Sequence, residues 1–468
     1  MRRAVLLTLA LAACGTAHPQ AAPIADAGTS VAPTLDVNVS PASIPDAATT
    51  PSPPPSASAP EPPLAPRVYV KAHSLAIHAD ATLKGDWIGI LVAGDSVPLR
   101  GERPASAHEC ASVRAIEPRG WVCVDGDSAT LDPTDSVYLA LRAHAADYSS
   151  PWPYYYGESR GTRRQRILPG VQTVAWPPVV FDPRAEVAPR STVAWTDEVV
   201  GAGSTWLRGS DMSFVAKDKI VPFERVPFHG VELGKDAQLP LAFFKGAAHI
   251  KYRRGAKSRL TQTGETWPRL GWVGLTGQTE KRGGLTFWET REDGVWIDAR
   301  GAAIIAPEAP SSAPHGTWIE VAALQGWLVA WQGDTAVYAT MISAGKLGAA
   351  KHDPENEPHQ PPATTPLGTF HIREKLLTTT LQSDLDDGTD FVHAEVPWSQ
   401  RFFDKYLLHT AYWHDRWGEG QSGGCVNLAP TDAKWLFAWS EPRLPEGWHA
   451  IRASETPGNQ GSLLVVHP

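Results

Sequence analysis

The sequence predicts a mainly β protein of several domains, and three observations support this fold class. The chain has 468 residues, which is enough for roughly three domains of about 150 residues each. Short β-branched and aromatic runs separated by Gly and Asp recur from residue 67 onward, and such runs are typical of strands. No apolar run reaches the roughly 18 residues of a membrane-spanning helix. We therefore expect several small β domains and no transmembrane helix.

The charge balance argues against one class of partner. The chain carries 42 Lys and Arg against 50 Asp and Glu, a formal net charge of −8. Proteins that wrap nucleic acid carry an excess of basic residues. We expect no nucleic-acid partner.

Residues 1–13 are predicted to be an export signal rather than part of the fold. Arg2 and Arg3 precede an apolar run that is too short to span a bilayer. The run ends in LAACG at 11–15, which resembles the lipobox of bacterial lipoproteins. This resemblance implies cleavage before Cys14, lipidation of its thiol and anchoring on the periplasmic side of the envelope, in the outer membrane of a Gram-negative bacterium. A plain secretion signal with an incidental cysteine is the alternative.

Residues 14–66 are predicted to be a disordered tether. From residue 15 this stretch contains 13 Pro and no aromatic residue, Lys or Arg. Such a composition cannot bury enough apolar surface to fold, and its Pro content favours extended chain. The tether would hold a folded body away from a membrane, and a spacer without a length requirement is the alternative.

The cysteines separate into three groups. Cys14 belongs to the lipobox, and export permits disulfides. Cys110 and Cys123 lie 13 residues apart in one predicted domain, which favours a local disulfide worth about 3 kcal/mol in the chain-entropy model. Cys425 is left over, and a free thiol in an exported protein suggests that the thiol is used.

Residues 67–130 are predicted to form a small β-barrel. Short strand-like runs end in GWV at 120–122, and the segment resembles bacterial SH3-like modules. Residues 239–315 are predicted to hold a possible second SH3-like module. Such modules either bind wall peptides or buttress the last domain, and the sequence leaves both roles open.

Residues 131–238 are predicted only to be β-rich. They contain the aromatic cluster WPYYY at 152–156 and four Arg between Arg160 and Arg166. An aromatic strip beside cations could face a glycan or an anionic polymer. The pattern favours a packed edge beside a solvated loop.

Residues 316–468 carry the candidate chemistry, centred on Cys425. Gly423 and Gly424 precede it and can adopt backbone angles closed to other residues, so their amides and that of Cys425 could form an anion-binding nest. A nearby His would take the thiol proton, the thiolate would attack a carbonyl, and the amides would hold the oxyanion. His409 ends the apolar run 406–408, a rigid place for such a base. A buried cysteine beside satisfied histidines is the alternative.

Four motifs in this region occur in a specific order: TPLGTF at 365–370, VPW at 396–398, HTAYWH at 409–414 and SGGCVNL at 422–428. Together they resemble the L,D-transpeptidase (YkuD-type) catalytic domain. The resemblance implies a β-sandwich with short helices, peptidoglycan stem peptides as substrates, and no metal or cofactor.

The resemblance also implies roles for individual residues. Cys425 would be the nucleophile, His409 the general base, and Thr410 the residue whose main-chain carbonyl orients that His. Other motif positions would shape the pocket or its wall, namely Ser422, Gly423, Gly424, Asn427, Tyr412 and Trp413. The thiolate would attack the carbonyl before the terminal D-Ala of a tetrapeptide stem, and a second stem would resolve the thioester into a 3→3 cross-link. Exchange of D-amino acids, protein attachment and hydrolysis are the other reactions implied.

Gly423 departs from the family pattern, which usually has His at that position. The departure leaves open a weakened or inactive wall-binding lipoprotein. Other cysteine peptidases of the wall usually place Cys before His, whereas His409 precedes Cys425 here. A metal site at 352–359, with two His and three acidic residues, lacks regular ligand spacing. Residues 376–390 could form a lid or a solvated loop, and the sequence favours the loop.

Overall fold

The computed structural model describes part of the chain, and the following account is confined to that part. The described ranges are 11–13, 65–107, 110–166, 181–201, 203–255, 258–307, 314, 316–351, 361–383, 392–454 and 460–468. The predicted lipidation site Cys14, the tether up to residue 64 and the candidate metal ligands at 352–359 lie outside these residues. None of the helices within the described ranges is long and apolar enough to cross a membrane.

The mainly β fold class is confirmed. The first short strand, β1 (Leu11–Ala13), pairs in parallel with residues 381–383. Residues 67–130 then form short strands around their own apolar core. These strands are β2 (Arg67–Val70), β3 (Leu75–His78), β4 (Trp87–Leu91), β5 (Ser96–Pro98), β6 (Ala105–Ala107), β7 (Cys110–Ala115), β8 (Trp121–Cys123) and β9 (Ala129–Thr130). Alternate residues of β2 and β3 are buried, as a sheet with one face in the core requires.

A disulfide joins Cys110 to Cys123 across the paired strands β7 and β8. The same core receives Trp448 from the last domain. A Cβ atom at Gly89 would lie 2.2 Å from the Trp448 ring, so this close approach requires glycine. Residues 67–130 are therefore packed directly onto the last domain. Their SH3-like character stays a prediction.

The middle of the chain begins with helix α1 (Ser136–Ala143), which is capped by the carboxylate of Asp135. It continues in two seven-stranded sheets. The strands of the first sheet are β10 (Tyr155–Ser159), β11 (Thr162–Arg166), β12 (Phe181–Val187), β13 (Thr192–Gly201), β14 (Ser204–Gly209), β15 (Ser213–Ala216) and β16 (Ile220–Pro222). A 3₁₀ turn, Lys217–Lys219, precedes β16. Strand β17 (Val231–Glu232) follows and pairs with the last domain.

The strands of the second sheet are β18 (Leu241–Phe244), β19 (His249–Arg254), β20 (Leu260–Trp267), β21 (Trp272–Arg282), β22 (Leu285–Thr290), β23 (Val295–Asp298) and β24 (Ala302–Ile305). Numbered within each sheet, the strands of both sheets follow the order 3-2-6-5-4-1-7. Residues 155–222 and 241–305 are therefore a structural repeat. The predicted second SH3-like module at 239–315 covers the second of these sheets, and its SH3-like character stays a prediction.

The last domain consists of two sheets and a helix. The first sheet contains β25 (Thr317–Ala322), β26 (Trp327–Gln332), β27 (Thr335–Met341), β28 (Ala349–Lys351), β29 (Thr365–His371) and β35 (Leu463–His467), together with β17. The second contains β30 (Glu374–Ser383), β31 (Val392–Phe403), β32 (Tyr406–Thr410), β33 (Val426–Leu428) and β34 (Ala450–Arg452). Both sheets and helix α2 (Pro430–Trp439) share one apolar core. Strand β34 also pairs with β4, which extends the second sheet into residues 67–130.

Buried charged groups fix both ends of α2. At the N-terminal end, the Asp432 carboxylate accepts hydrogen bonds from Gly230 N, Tyr338 Oη and Thr340 Oγ1. Burial raises the pKa of Asp432 to about 6. At the C-terminal end, Lys375 Nζ donates to the carbonyl oxygens of residues 437 and 440, and burial lowers its pKa to about 7. The helix that follows Cys425 is thereby held firmly against the sheets.

Of the segment 376–390, residues 376–383 belong to β30. Residues 384–390 lie outside the described part of the chain.

Candidate active site

Cys425 lies immediately before β33, beside the strand that carries His409. Leu408 pairs with Val426 in the parallel strands β32 and β33, and one residue earlier the Leu407 amide contacts Cys425 Sγ at 3.4 Å. Successive side chains of a strand alternate between faces, and paired residues share a face. Cys425, Leu407 and His409 therefore project to one side of the sheet. Leu407 and Cys425 belong to one apolar cluster, whereas Leu408 and Val426 belong to another.

The ring of His409 is oriented by its neighbour in the chain. The Thr410 carbonyl oxygen lies 2.7 Å from His409 Nδ1. A carbonyl oxygen can only accept, so Nδ1 carries the hydrogen and Nε2 of the neutral ring bears a lone pair. Nε2 is buried and makes no hydrogen bond with any described residue. His409 is therefore prepared to accept a proton at Nε2.

Ser422 fixes the shape of the loop before β33 through two hydrogen bonds of its hydroxyl group. Ser422 Oγ donates to the Cys425 carbonyl oxygen at 2.6 Å and accepts from Gly424 N at 3.0 Å. Gly424 has φ +132°, and a Cβ atom there would lie 2.6 Å from the Thr364 carbonyl oxygen, so only glycine fits. The structure differs from the predicted nest, because the Gly424 amide already binds Ser422. One of the three predicted oxyanion donors is removed in this way.

Asn427 lies opposite His409 in the strand register. Its Nδ2 donates to His414 Nε2 at 3.1 Å. His414 therefore helps to position Asn427, a predicted pocket residue. Asn427 Oδ1 is buried and has no hydrogen-bond partner among the described residues. Asn427 thus presents an acceptor beside the candidate base.

Trp413 and Tyr412 follow His409 and differ in what they contact. The Trp413 ring stacks on the His393 ring at 3.8 Å, and its centroid lies 5.9 Å from that of His409. The Tyr412 hydroxyl donates to the Ala394 carbonyl oxygen at 2.6 Å and lies 2.7 Å from Thr192 Oγ1. Burial raises the pKa of Tyr412 far above its usual value, so the hydroxyl stays protonated. Its ring forms part of the wall, while its hydroxyl anchors the wall to the first seven-stranded sheet.

An open cleft of about 230 Å³ lies along the segment that follows β32. The last domain contributes to its lining the segment from Ala411 to Asp415, Trp417 and Pro430, and the middle region contributes Trp152, Phe223, Glu224 and Val226. Cys425 and His409 are themselves 0% exposed. Neither side chain lines the cleft, and the link between the two is Trp413, which lines the cleft and whose ring centroid lies 5.9 Å from that of His409.

The sequence analysis missed two groups of contacts at the site. The Leu407 amide lies 3.4 Å from Cys425 Sγ and donates to it. Thr192 and Tyr156 of the first sheet hold Tyr412, the latter by ring stacking at 3.8 Å. The Leu407 contact follows from strand register, which spacing along the chain does not reveal. The sheet contacts join residues more than 200 positions apart, for which the sequence holds no local signal.

Among the described residues, no group of three or more His, Cys, Asp or Glu side chains is placed to hold a metal ion. The chemistry that these residues can supply is nucleophilic. A buried thiol, a base with a free lone pair on the same face and hydrogen-bond donors near the sulfur together suit acyl transfer through a thioester.

Comparison with known proteins finds one family similar to part of the last domain. Residues 317–447 match the family model described as YkuD, L,D-transpeptidase catalytic domain. No curated protein matches the chain at a significant level.

Solved structures of L,D-transpeptidases overlap with part of the chain. A mutant L,D-transpeptidase from Enterococcus faecium is 20% identical, with 33% of this chain and 50% of that chain covered and a TM-score of 0.23. An L,D-transpeptidase from Xylanimonas cellulosilytica is 18% identical, with 34% and 64% covered and a TM-score of 0.22. One from Mycobacterium smegmatis is 16% identical, with 53% and 89% covered and a TM-score of 0.23. The chain thus spans less than two thirds of the length of the first two structures. With TM-scores this low, the similarity to these structures supports no conclusion about function.

Proposed function

We propose that the YkuD-type catalytic domain at residues 317–447 makes this chain a cysteine-dependent peptidoglycan L,D-transpeptidase. One observation carries the proposal. The Thr410 carbonyl fixes the His409 tautomer with a bare Nε2, on the same strand face as the Cys425 thiol. That pairing is what a thiol nucleophile and its general base require.

The proposed reaction has two halves. His409 Nε2 takes the thiol proton, and the Cys425 sulfur attacks the carbonyl carbon between the third stem residue and the terminal D-Ala. The tetrahedral intermediate collapses, the proton passes from His409 to the leaving amine, and D-Ala departs with a thioester left on Cys425. The amine of a second stem then attacks the thioester and gives its proton to His409. The C–S bond breaks, the thiolate is reprotonated, and a 3→3 cross-link remains.

Gly423 replaces the usual motif His, and the site geometry supports activity despite this change. The base is His409, and its orientation depends on Thr410 rather than on position 423. The loop shape depends on Ser422 and Gly424, which are both present. We therefore expect the reacting pair to tolerate Gly423.

We also propose that the protein works as an envelope lipoprotein, attached to a membrane through lipidated Cys14. The LAACG sequence at 11–15 and the Pro-rich segment up to residue 66 support this location. Cleavage before Cys14 would remove strand β1 from the mature protein.

The experiment is mass spectrometry of disaccharide-tetrapeptide incubated with the full-length protein, beside Cys425→Ala. We expect loss of D-Ala and formation of 3→3 dimers with the wild type, and neither product with the variant. Tripeptide alone would indicate hydrolysis by the same acyl-enzyme. An unchanged muropeptide, together with a thiol that alkylates like a free cysteine, would overturn the proposal and favour a wall-binding protein without activity.

A further inference from the structure

The cleft beside His409 is built from two parts of the chain and is rich in aromatic side chains. Trp413 and Trp417 come from the last domain, whereas Trp152 and Phe223 come from outside residues 317–447. The Trp413 Nε1 donor is buried and has no hydrogen-bond partner among the described residues. A ligand that carries hydrogen-bond acceptors would supply the partner that this nitrogen lacks.

Trp152 of the cleft lining is joined through Arg225 to Tyr155, and we call these three residues the aromatic track. The Arg225 guanidinium lies 5.5 Å from the Trp152 ring and 5.2 Å from the Tyr155 ring. Tyr155 is 55% exposed and stacks on Trp195. A guanidinium held between two rings offers directed N–H donors beside aromatic faces. Tyr154 and Tyr156 of the same cluster are instead buried in the core.

The chemistry of the lining selects among ligands. Asp415 already binds Arg269 at 2.8 Å, so the cleft does not present two free carboxylates to an ammonium group. Glu224, Asp415 and Arg225 make the cleft and track too polar for a purely apolar ligand. A sugar ring has apolar C–H faces and hydroxyl edges, which suit aromatic faces bordered by carboxylates and a guanidinium.

We propose that the cleft and the aromatic track bind the glycan strand of peptidoglycan. The inference rests on the proposed function and deepens it, because it assigns the middle region a part in substrate binding. The reacting carbonyl is separated from the sugar by three stem residues, which span roughly 10 Å when extended. Trp413 connects the two places, because its ring centroid lies 5.9 Å from that of His409 and it lines the cleft together with Trp152 of the track. On this proposal the stem lies at the site while its sugar contacts the track.

The test is direct binding of stem-free glycan strands, prepared by amidase digestion of peptidoglycan. Binding is measured by isothermal titration calorimetry with full-length protein carrying Cys425→Ala, which prevents turnover. We expect Trp152→Ala to weaken binding at least about tenfold and Tyr155→Ala about threefold, since truncating an aromatic anchor removes most of its contact area. Trp272→Ala is the matched control, because Trp272 is an exposed Trp on the second sheet, away from the track. We expect this control to bind like the parent.

A loss of binding in Tyr155→Ala cannot be attributed to misfolding, because more than half of the Tyr155 side chain is exposed to solvent and its removal should leave the fold intact. Absence of strand binding by the parent would overturn the proposal. Equal binding by the parent, Trp152→Ala and Tyr155→Ala would also overturn it, as would Trp152-dependent binding of a sugar-free tetrapeptide without binding of glycan strands. Track-dependent strand binding in a protein that shows no turnover would retain the glycan site and reject the transpeptidase.

Discussion

The two seven-stranded sheets share a strand order but meet the last domain through different side chains. Thr192 and Trp272 are the first residues of the fourth strand in their respective sheets. Each pairs with the first strand of its own sheet, Thr192 with Glu158 and Trp272 with Phe243. Thr192 holds the Ala394 amide and the Tyr412 hydroxyl, whereas Trp272 is exposed to solvent. Equivalent positions of one repeat therefore serve different purposes.

A second equivalent pair shows the same division. Tyr156 stacks on Tyr412 and donates to the Glu395 carbonyl oxygen. Its counterpart Leu241 is buried in the apolar cluster that also contains Leu407 and Cys425, where it makes no hydrogen bond through its side chain. The first sheet thus holds the wall of the candidate active site, and the second supports the domain by apolar packing. Substitutions at matching positions should separate stability from activity.

The largest expected effect distinguishes these two residues. Tyr156→Ala should lower the free energy of unfolding by about 3–5 kcal/mol and Leu241→Ala by about 2–5 kcal/mol, because each removes a buried side chain. Only Tyr156→Ala should also lower kcat/KM of the folded protein, because it releases Tyr412. Urea unfolding and steady-state transpeptidation measure the two quantities. Tyr156→Phe, which keeps the stack, is the control. An equal loss of kcat/KM in Leu241→Ala would contradict the division between the sheets.

The next effect concerns the segment that joins the two sheets. It is fixed to the last domain by the hydrogen bond from Gly230 N to Asp432. The pKa of Asp432 is about 6 in the fold, above its usual 3.8, so the folded state binds more protons between these values. The free energy of unfolding therefore falls as pH rises from about 4 to 6, by up to about 3 kcal/mol.

Asp432→Asn tests this dependence, because an amide does not titrate. Between about pH 4 and pH 7, the wild type should lose about 3 kcal/mol relative to the variant, as measured by urea unfolding at each pH. Parallel pH profiles for the two proteins would show that Asp432 does not carry the shift.

A smaller effect tests the polar contact of the first sheet. Thr192→Val keeps the side-chain volume but leaves the Ala394 amide without its acceptor. We expect a loss of about 1–3 kcal/mol in unfolding free energy. The control is Thr276→Val on strand β21, the equivalent strand of the second sheet. Thr276 is exposed, so its substitution should stay within about 0.5 kcal/mol. Similar losses of unfolding free energy in both variants would mean that the Thr192 hydroxyl stabilises the fold no more than an exposed hydroxyl does.

Local patterns in the sequence supplied the residues of the candidate site. The motif at 422–428 pointed to Cys425 after two glycines, and the family resemblance assigned the Thr410 carbonyl to His409, with which it makes a hydrogen bond. The Cys110–Cys123 pair could be anticipated from separation within one domain. Each of these features depends on residues close in the chain, and short-range spacing is what a single sequence displays best.

Features that depend on long-range packing could not be predicted. The repeat at 155–222 and 241–305 is defined by strand order, and its equivalent positions hold residues as unlike as Thr192 and Trp272. The Gly424 amide binds Ser422 Oγ rather than pointing into the site, which depends on a side-chain rotamer. Trp448 enters the core of residues 67–130 across more than 300 positions of chain.

The smallest expected effect concerns an ion pair that links the second sheet to the cleft. It is the one such pair among the contacts of the described residues. Arg269 donates to the Asp415 carboxylate and to its carbonyl oxygen. Both side chains are about one-third exposed, so solvent screens the pair and Arg269→Ala should cost at most about 1 kcal/mol of unfolding free energy. Arg269→Lys should not restore the loss, since a single ammonium cannot reproduce the two-pronged contact. Added salt should reduce the difference between the wild type and Arg269→Ala, because exposed pairs are screened at high ionic strength. A loss of several kcal/mol, insensitive to salt, would instead mean that the second sheet positions the cleft loop as strongly as the first sheet holds its wall.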